Sequence, residues 1–543
     1  MDIWTESSYA RQMMDALPPD QPECAVRLSM ARNESESAQV LLRSDEPFRI
    51  SRLDFVGLDE MRCLYQFQDT IAFQDGIAWP DPLSNLPSRD VAAGMTQGIW
   101  LTLHAPRDLA AGEYSGMVRI FVETAANVKS VEKAPAVFEI PVSIRIYDVT
   151  IPDSCDAAFS LEYWINTTGY WWRRPTEEKR DFIMSQYGYA SWTPGWWRVV
   201  GAIADNMREN RINVLFVRSQ DLLLDGGSYL DDQGTYHFDW TRFDEYVQFF
   251  LDRRVVRRLA GFHLIRQTEG EFVYLIKQDE KNHPAVMDAR LDSPEGQNWL
   301  NQFLPALQGH LKEKSWLHLW LQHIEDEPAD DESWKIGREA VRRHMPGVIC
   351  MDALDRQSPC RGLQSQMDLW IPRIDLYEEN RAFYDYRLTL GEQRWTYTCC
   401  VPSTPNYLNK FIDLPYWHNR LLFWGCFARG FTGFLHWGYN YWDPDDTYFG
   451  LNPKAYFKGD GYIVYPDPET GTIKSSVRLI CTRDSAEDYE LLRIVAEKDA
   501  ARANELAGRV LASFHDFTWD IDTMKAAREA LLQEAQEAQS GTV

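Results

Sequence analysis

Through the first 150 residues, apolar and polar side chains largely alternate in short runs. Ala38–Arg43, Gly98–His104, Tyr114–Val122 and Ala136–Ile146 carry this pattern, turn residues separate them, and no helical period intervenes. Short strands at such spacing predict an antiparallel β-sandwich over residues 1–152, with Pro152-Asp-Ser marking its end. From about residue 157 the pattern becomes strand then helix, repeatedly. Strands are expected at Ala158–Trp164, Ile212–Val217, Leu259–Ile265, Trp316–Ile324, Val348–Ala353, Met367–Ile371, Trp395–Cys399 and Thr432–Trp437. Helices are expected at Arg198–Asn210, Asp239–Arg254, Pro294–Lys312, Glu332–His344 and His418–Arg429. Asp292-Ser293-Pro294 gives the third of these a cap residue and a first-turn proline. Eight strands alternating with helices predict a (β/α)8 TIM-type barrel over residues 153–500. Glu487–Lys498, Arg502–Phe514 and Met524–Ala538 read as a helical C-terminal tail, with 501–543 as the last unit. The expected fold class is therefore multidomain: sandwich, barrel, helices.

Composition narrows the partners. The 543 residues are 45% hydrophobic and 25% charged, as in a soluble globular protein too long for one small core. The net charge is −25 and the pI about 4.9. So acidic a surface repels phosphate backbones and anionic membranes, which argues against nucleic acid and favours a neutral substrate. No apolar run reaches the ~18 residues needed to span a bilayer. The first twenty residues hold no basic segment followed by an apolar one, so no secretory signal is read there. Nine scattered cysteines without a C-x-x-C pair fit neither a disulfide framework nor a zinc cage. Most are expected to be buried thiols, and cytoplasm is the default location. No cofactor is called for, and the oligomeric state is not legible.

The candidate chemistry sits where the fourth strand ends. Trp316–Ile324 is followed by Glu325-Asp326-Glu327-Pro328, and Pro328 is expected to push Glu327 into an extended conformation. Ending the strand there could turn Asp326 and Glu327 into one cavity. Barrel enzymes place their sites at the C-terminal ends of the strands, and the other ends are compatible with this. Asn166 and the Tyr170-Trp-Trp172 cluster follow the first strand, Arg218 the second, and Asp352 and Asp355 the fifth. Tyr397 lies on the seventh strand, and the eighth runs into His436-Trp-Gly-Tyr-Asn-Tyr-Trp-Asp443. Carboxylates, amides and flat rings together suit a carbohydrate, whose apolar face stacks on rings while its hydroxyls bond to polar groups. Asp330-Asp-Glu332 reads as charge favouring the next helix start. His318 and His323, among aliphatic residues, read as buried and hydrogen-bonded. A metal set of His323, Glu325 and Asp326 would need ligands from other strands that the sequence does not identify.

A sandwich before a barrel, the Asp-Glu-Pro at the fourth strand's end, and Leu435-His-Trp-Gly-Tyr-Asn-Tyr-Trp442 resemble glycoside hydrolase family 123. Gly459-Asp-Gly-Tyr-Ile-Val-Tyr-Pro466, the stretch Arg478 to Leu492, and Ala31-Arg-Asn-Glu-Ser-Glu-Ser-Ala-Gln39 are similar to segments of related bacterial proteins. The resemblance implies retaining exo-hydrolysis of β-linked N-acetylgalactosamine or a related β-hexosaminide. In that scheme the substrate's 2-acetamido oxygen attacks C1, an exception to the usual two-carboxylate arrangement. Glu327 would be general acid and then base. A charged Asp326 together with partial burial would raise the pKa of Glu327, and Asp326 would orient the acetamido N–H and stabilise the oxazolinium intermediate. Tyr397, Trp437, Tyr439 and Trp442 would line the sugar, with Asn440, Arg218, Asn166 and Asp352 as polar contacts. Two alternatives stay open: a non-catalytic carbohydrate-binding protein on the same fold, or a glycosidase for a sugar without the acetamido group.

Overall fold

Alternation in the first 150 residues produces two facing sheets. The computed structural model describes residues 1–124, 135–168, 181–267, 271–278, 283–328, 331–355 and 361–540. Tyr170, Trp171, Trp172, Asp330 and Cys360 lie outside them. One sheet orders Val26–Arg32, Ala136–Thr150, Gly112–Thr124, Phe48–Val56 and Arg89–Val91. The other begins Asp2–Ser7, Ser35–Arg43, Thr96–His104, Arg62–Ala72 and Ala78–Ser84. Ile140, Val142 and Ile144 from the first meet Val40, Leu42, Ile99 and Leu101 from the second in one apolar core, while Glu139, Ser143 and Arg145 stay exposed. Two features escaped the sequence reading. Val26–Arg32 pairs parallel to Ala136–Thr150, so this region is not wholly antiparallel. The second sheet is also extended by Thr472–Ser476 and Tyr465–Asp467, through Ser475 and Ser476 opposite Leu83 and Pro82.

The strand–helix half builds a nearly closed, barrel-like parallel sheet. Its nine strands run in chain order: Ser160–Tyr163, Val214–Val217, Arg258–Gly261, Trp320–His323, Ile349–Leu354, Leu369–Pro372, Gln393–Arg394, Thr396–Tyr397 and Gly433–His436. The last pairs with the first, Gly433 opposite Ser160. The opening falls at Trp395, between the two shortest strands, and Arg373 bridges to Tyr397 across it. Successive side chains point to opposite faces. Val214 and Phe216 join Leu321, Met351 and Leu435 in one cluster, while Leu215 and Val217 join the larger cluster shared with the helices. Burial on both faces explains why such strands read as unbroken apolar runs.

Helices form at Pro194–Glu209, Thr241–Asp252, Pro294–Glu313, Asp331–His344 and Tyr416–Ala428, close to the expected positions. Ser293 caps the third, its hydroxyl accepting the Gly296 N–H at 3.1 Å. Other expectations need correcting. Leu317–Leu319 is a 3-10 turn, so the fourth strand starts at Trp320 and His318 is exposed rather than buried. The third strand ends at Gly261, and a separate antiparallel sheet follows: Ile265–Gln267, Glu271–Gln278 and Pro284–Arg290. The helix expected to reach Phe514 stops at Gly508, and the apolar run beyond it forms a hairpin of Leu511–Ser513 with Asp516–Phe517. Among the described cysteines only Cys350, Cys426 and Cys481 are buried, all eight being free thiols.

One helix, Val477–Lys498, buries polar as well as apolar residues along most of its length. Arg420, from Tyr416–Ala428, donates to Glu36 at 2.7 Å and to Asp488 at 2.9 Å. Arg528, from Ile521–Ser540, reaches the same Asp488 at 3.0 Å and also pairs with Glu34 and Glu36. Buried charge is tolerated only when paired and hydrogen-bonded. This cluster therefore ties the sandwich, the barrel helices and the tail into one body. Glu34 and Glu36 belong to the Ala31–Gln39 segment singled out in the sequence.

Candidate active site

The end of the fourth strand is fixed from below by Asp352. Its Oδ2 accepts the N–H groups of Ile324 at 2.9 Å and Glu325 at 3.0 Å, and the Trp334 indole N–H at 2.6 Å. Its Oδ1 faces His323 Nδ1 at 2.9 Å, while His323 Nε2 faces Glu162 Oε1 at 3.1 Å. Two carboxylates on two ring nitrogens favour an imidazolium. Burial alone would push His323 down, but Glu162 and Asp352 outweigh it and raise the group to about 10. Glu325 turns away from the barrel mouth, its Oε2 accepting from Ser333 at 2.7 Å.

Asp326 and Glu327 come next, and both line one cavity of about 320 Å³. Glu327 has φ +46°, a left-handed conformation in place of the extended one expected before Pro328. In a continued strand the two side chains would point to opposite faces. The left-handed turn brings both into the same space. Such a backbone costs about 1–3 kcal/mol and persists only where its surroundings hold it. Tyr397 contributes to that hold, its hydroxyl donating to Glu327 Oε1 at 2.5 Å.

Electrostatics at the pair also differ from expectation. Asp326 was expected to stay charged and raise Glu327. Instead burial raises Asp326 well above the usual carboxylate range, and the neighbouring charges of Glu327 and Asp352 add to this. Burial raises Glu327 too, with the Tyr397 hydroxyl opposing. The pair thus retains a proton more readily than two isolated carboxyls. His263 sits beside it, Nε2 3.9 Å from Asp326 and 3.7 Å from Asp352. Burial, then the His323 cation, keeps His263 neutral. A protonated carboxyl in such a cavity can donate to a leaving oxygen, and its ionised partner can stabilise developing positive charge.

The remaining expected residues divide. Tyr397 and Trp437 line the cavity with the carboxylates. Tyr439 is buried elsewhere, donating to Asn206 at 2.9 Å, and Trp442 is wholly buried with its indole N–H on the Val464 carbonyl at 2.8 Å. Asn440 accepts the Asn166 N–H at 2.7 Å and returns a bond to the Asn166 carbonyl at 2.9 Å, clasping the first and last strand ends together. Arg218 is buried on Asp221 at 2.6 Å, and its guanidinium covers the Phe262 ring. Asp352 serves the strand end described above. None of these six, Tyr439, Trp442, Asn440, Asn166, Arg218 and Asp352, lines the cavity. Sequence reasoning missed Trp164, Cys399, Cys400, Tyr441, Asp446, Phe449 and Asp460, which do. Of these, Asp460, inside the Gly459-Asp-Gly segment, and Tyr441, inside the aromatic run ending at Trp442, lay in stretches the sequence singled out.

A metal set of His323, Glu325 and Asp326 does not assemble, because Glu325 is turned to Ser333. Among the described residues His263, His323 and Asp352 do converge within 4.8 Å. Both ring nitrogens of His323 already face carboxylates, Asp352 and Glu162, so this donor set does not suit a cation.

The model of the glycoside hydrolase 123 catalytic domain matches residues 180–495, more than half of the 543. A solved family 123 glycoside hydrolase from Clostridium perfringens, described for glycolipid glycan hydrolysis, superposes with a TM-score of 0.71 at 14% identity. That match covers 99% of this chain and 97% of the other. A β-glucuronidase from Bifidobacterium dentium reaches a TM-score of only 0.31 at 8% identity, covering 89% and 66%, an overlap too loose to bear on this protein. No curated protein matches the chain in sequence. The Clostridium match speaks to fold, and the domain match to kinship: the chain belongs to glycoside hydrolase family 123 and is a glycoside hydrolase.

Proposed function

We propose that the protein is an exo-acting, retaining glycosidase that releases β-linked N-acetylgalactosamine, or a related β-hexosaminide, with the substrate's acetamido oxygen as nucleophile. The observation that carries this reading is the left-handed turn at Glu327, which delivers two adjacent carboxylates to one cavity. Adjacent residues on one side of a bound sugar suit a division of labour between its two reacting groups. Glu327, protonated and held by Tyr397, gives its proton to the leaving oxygen and later takes one from water. In this scheme the shared proton sits on Glu327, which removes one of the charges that raise Asp326; Asp326, ionised, accepts the acetamido N–H and balances the oxazolinium charge, with no enzyme nucleophile required. A cavity of about 320 Å³ is at the small end of the range for ligand sites and fits one terminal sugar. In this reading the short strands flanking Trp395 count as one, giving eight strands and a (β/α)8 barrel within residues 153–500, after a sandwich over 1–152 and before terminal helices at 501–543.

A second reading, a glycosidase for sugars without the acetamido group, has one observation in its favour: Asp446 and Asp460 add two further carboxylates to the same cavity. Nitrophenyl glycosides separate the two. Release from β-GalNAc or β-GlcNAc, and none from β-galactoside or α-linked controls, is the expected outcome. Equal release from β-galactoside would refute assistance by the acetamido group.

A further inference from the structure

Two neighbouring thiols stand on the wall of the cavity that holds Asp326 and Glu327, and the scheme above uses neither. We propose that Cys399 and Cys400 are a reversible oxidation site, converted by a hydroperoxide to a disulfide that disarms the cavity until a dithiol reduces it. The proposal rests on the glycosidase reading only in taking lost hydrolysis as one of its readouts.

Both side chains line the cavity, both are partly exposed, and both are free thiols. None of the other described cysteines lines it. The pair follows Thr396–Tyr397 with only Thr398 between, so the strand that brings the Tyr397 hydroxyl to Glu327 also carries the two sulfurs to the cavity. The segment beyond the strand is braced. The Cys399 N–H donates to the Val401 carbonyl at 3.2 Å, and the Asn409 amide donates to the carbonyls of Cys399 at 3.0 Å and Pro402 at 2.9 Å.

The two thiols also differ in reactivity, and the thiolate is the nucleophile. Cys399 donates its S–H to the Cys400 sulfur, which shifts Cys400 down against burial and the charges of Asp460 and Glu327, with Arg373 assisting. The same bond, then burial, raises Cys399 well above the usual thiol range, so Cys399 keeps its proton. Burial raises Cys63, Cys155, Cys350, Cys426 and Cys481. An accessible thiolate with a second thiol beside it is the arrangement that oxidises reversibly. The Cys400 thiolate attacks one peroxide oxygen, the O–O bond breaks, and the leaving oxygen takes up the proton that Cys400 had given to solvent. The Cys399 sulfur then displaces the hydroxyl of the resulting sulfenic acid, which departs as water with the Cys399 proton. Two thiols have lost two electrons, and one peroxide bond has been reduced. Neighbouring Cα atoms stand about 3.8 Å apart, short of the ~4.4–6.8 Å usual for a disulfide, so the bond formed is strained and readily reduced. Closing it turns the Cys399–Cys400 peptide two residues from Tyr397, and so loosens the hydroxyl that holds Glu327.

Hydrogen peroxide added to the full chain tests this through two independent readouts, the mass of the peptide carrying Cys399 and Cys400 and the hydrolysis of nitrophenyl β-GalNAc. In wild type most of the hydrolysis should be lost while that peptide loses two hydrogens, and dithiothreitol should restore both. Each variant is compared with its own untreated rate. Cys400→Ser should keep its rate through the same exposure. Cys399→Ser should lose its rate and, with no second thiol to close the disulfide, go on to a sulfinic acid that dithiothreitol does not reverse. A wild-type peptide that keeps both hydrogens, or a Cys400→Ser variant inactivated as fast as wild type, overturns the proposal. So does a disulfide that forms with no loss of hydrolysis. If the reduced protein hydrolyses no nitrophenyl glycoside, the substrate reading fails by itself, and the mass change with its reversal still decides whether the pair is an oxidation site.

Discussion

At the scale of single residues, one backbone angle and the groups that hold it set what the site can do. The Glu-Asp-Glu-Pro run was legible as chemistry because an acid pair follows an aromatic strand. Its geometry was not, since a proline after Glu327 argues for extended backbone while the structure has φ +46° there. The stabilising contact comes from Tyr397, seventy positions away. The protonation state was equally hidden: burial of both carboxyls is a property of the assembled cavity. Glu327→Gln should lower kcat by about 10²–10⁴-fold while ligand binding and thermal stability stay near wild type. The sign of the pH effect follows from the shifts. A general acid is active while protonated, so a raised Glu327 pKa extends activity upward in pH and the alkaline limb reports its loss of a proton. A raised Asp326 pKa moves the acid limb upward as well, since its ionised form is the useful one. Kinetic profiles of wild type and Tyr397→Phe check this. Removing the hydroxyl that opposes burial should raise Glu327 further and move the alkaline limb to higher pH.

Among elements, strands ending at a common rim bring distant residues together, and the sequence anticipated much of this. Buried parallel strands read as apolar runs and the crossover helices as amphipathic ones. What it could not resolve is which way each side chain turns beyond a strand end. Trp437 and Trp442 sit in one aromatic run, yet Trp437 lines the cavity while Trp442 bonds to Val464 inside the core. Trp437→Ala should weaken sugar binding with little loss of stability. Trp442→Ala should cost about 3–5 kcal/mol of stability, the usual range for emptying a buried tryptophan site. Denaturant unfolding and ligand titration on both variants check the division. The antiparallel excursion of Ile265–Gln267, Glu271–Gln278 and Pro284–Arg290 was missed for a related reason: its alternating pattern was absorbed into the neighbouring barrel strand and crossover.

Over the whole molecule, the sandwich is more than an appendage. Arg478 connects Asp81 of the sandwich to the Asp460 segment, and Arg420 connects Glu36 to Asp488. The Arg478–Asp81 and Arg420–Glu36 pairings join positions hundreds of residues apart, so no local pattern displays them. The sequence showed the segments as family-like stretches without revealing that their charges meet in one buried cluster. Removing one member leaves its partners buried and uncompensated. Arg420→Ala should therefore cost about 3–5 kcal/mol, measured as a drop in denaturation midpoint. A surface pair such as Arg49 with Asp90 should give 1 kcal/mol or less by the same assay, roughly the value of an exposed bridge.

The most direct test of the central claim is a series of nitrophenyl β-glycosides whose 2-acetamido group carries zero, one, two or three fluorines. Fluorine withdraws electrons from the amide oxygen without blocking the cavity. If that oxygen is the nucleophile, kcat/KM should fall steeply with each fluorine added. A flat series would contradict the account and put an enzyme carboxylate in its place.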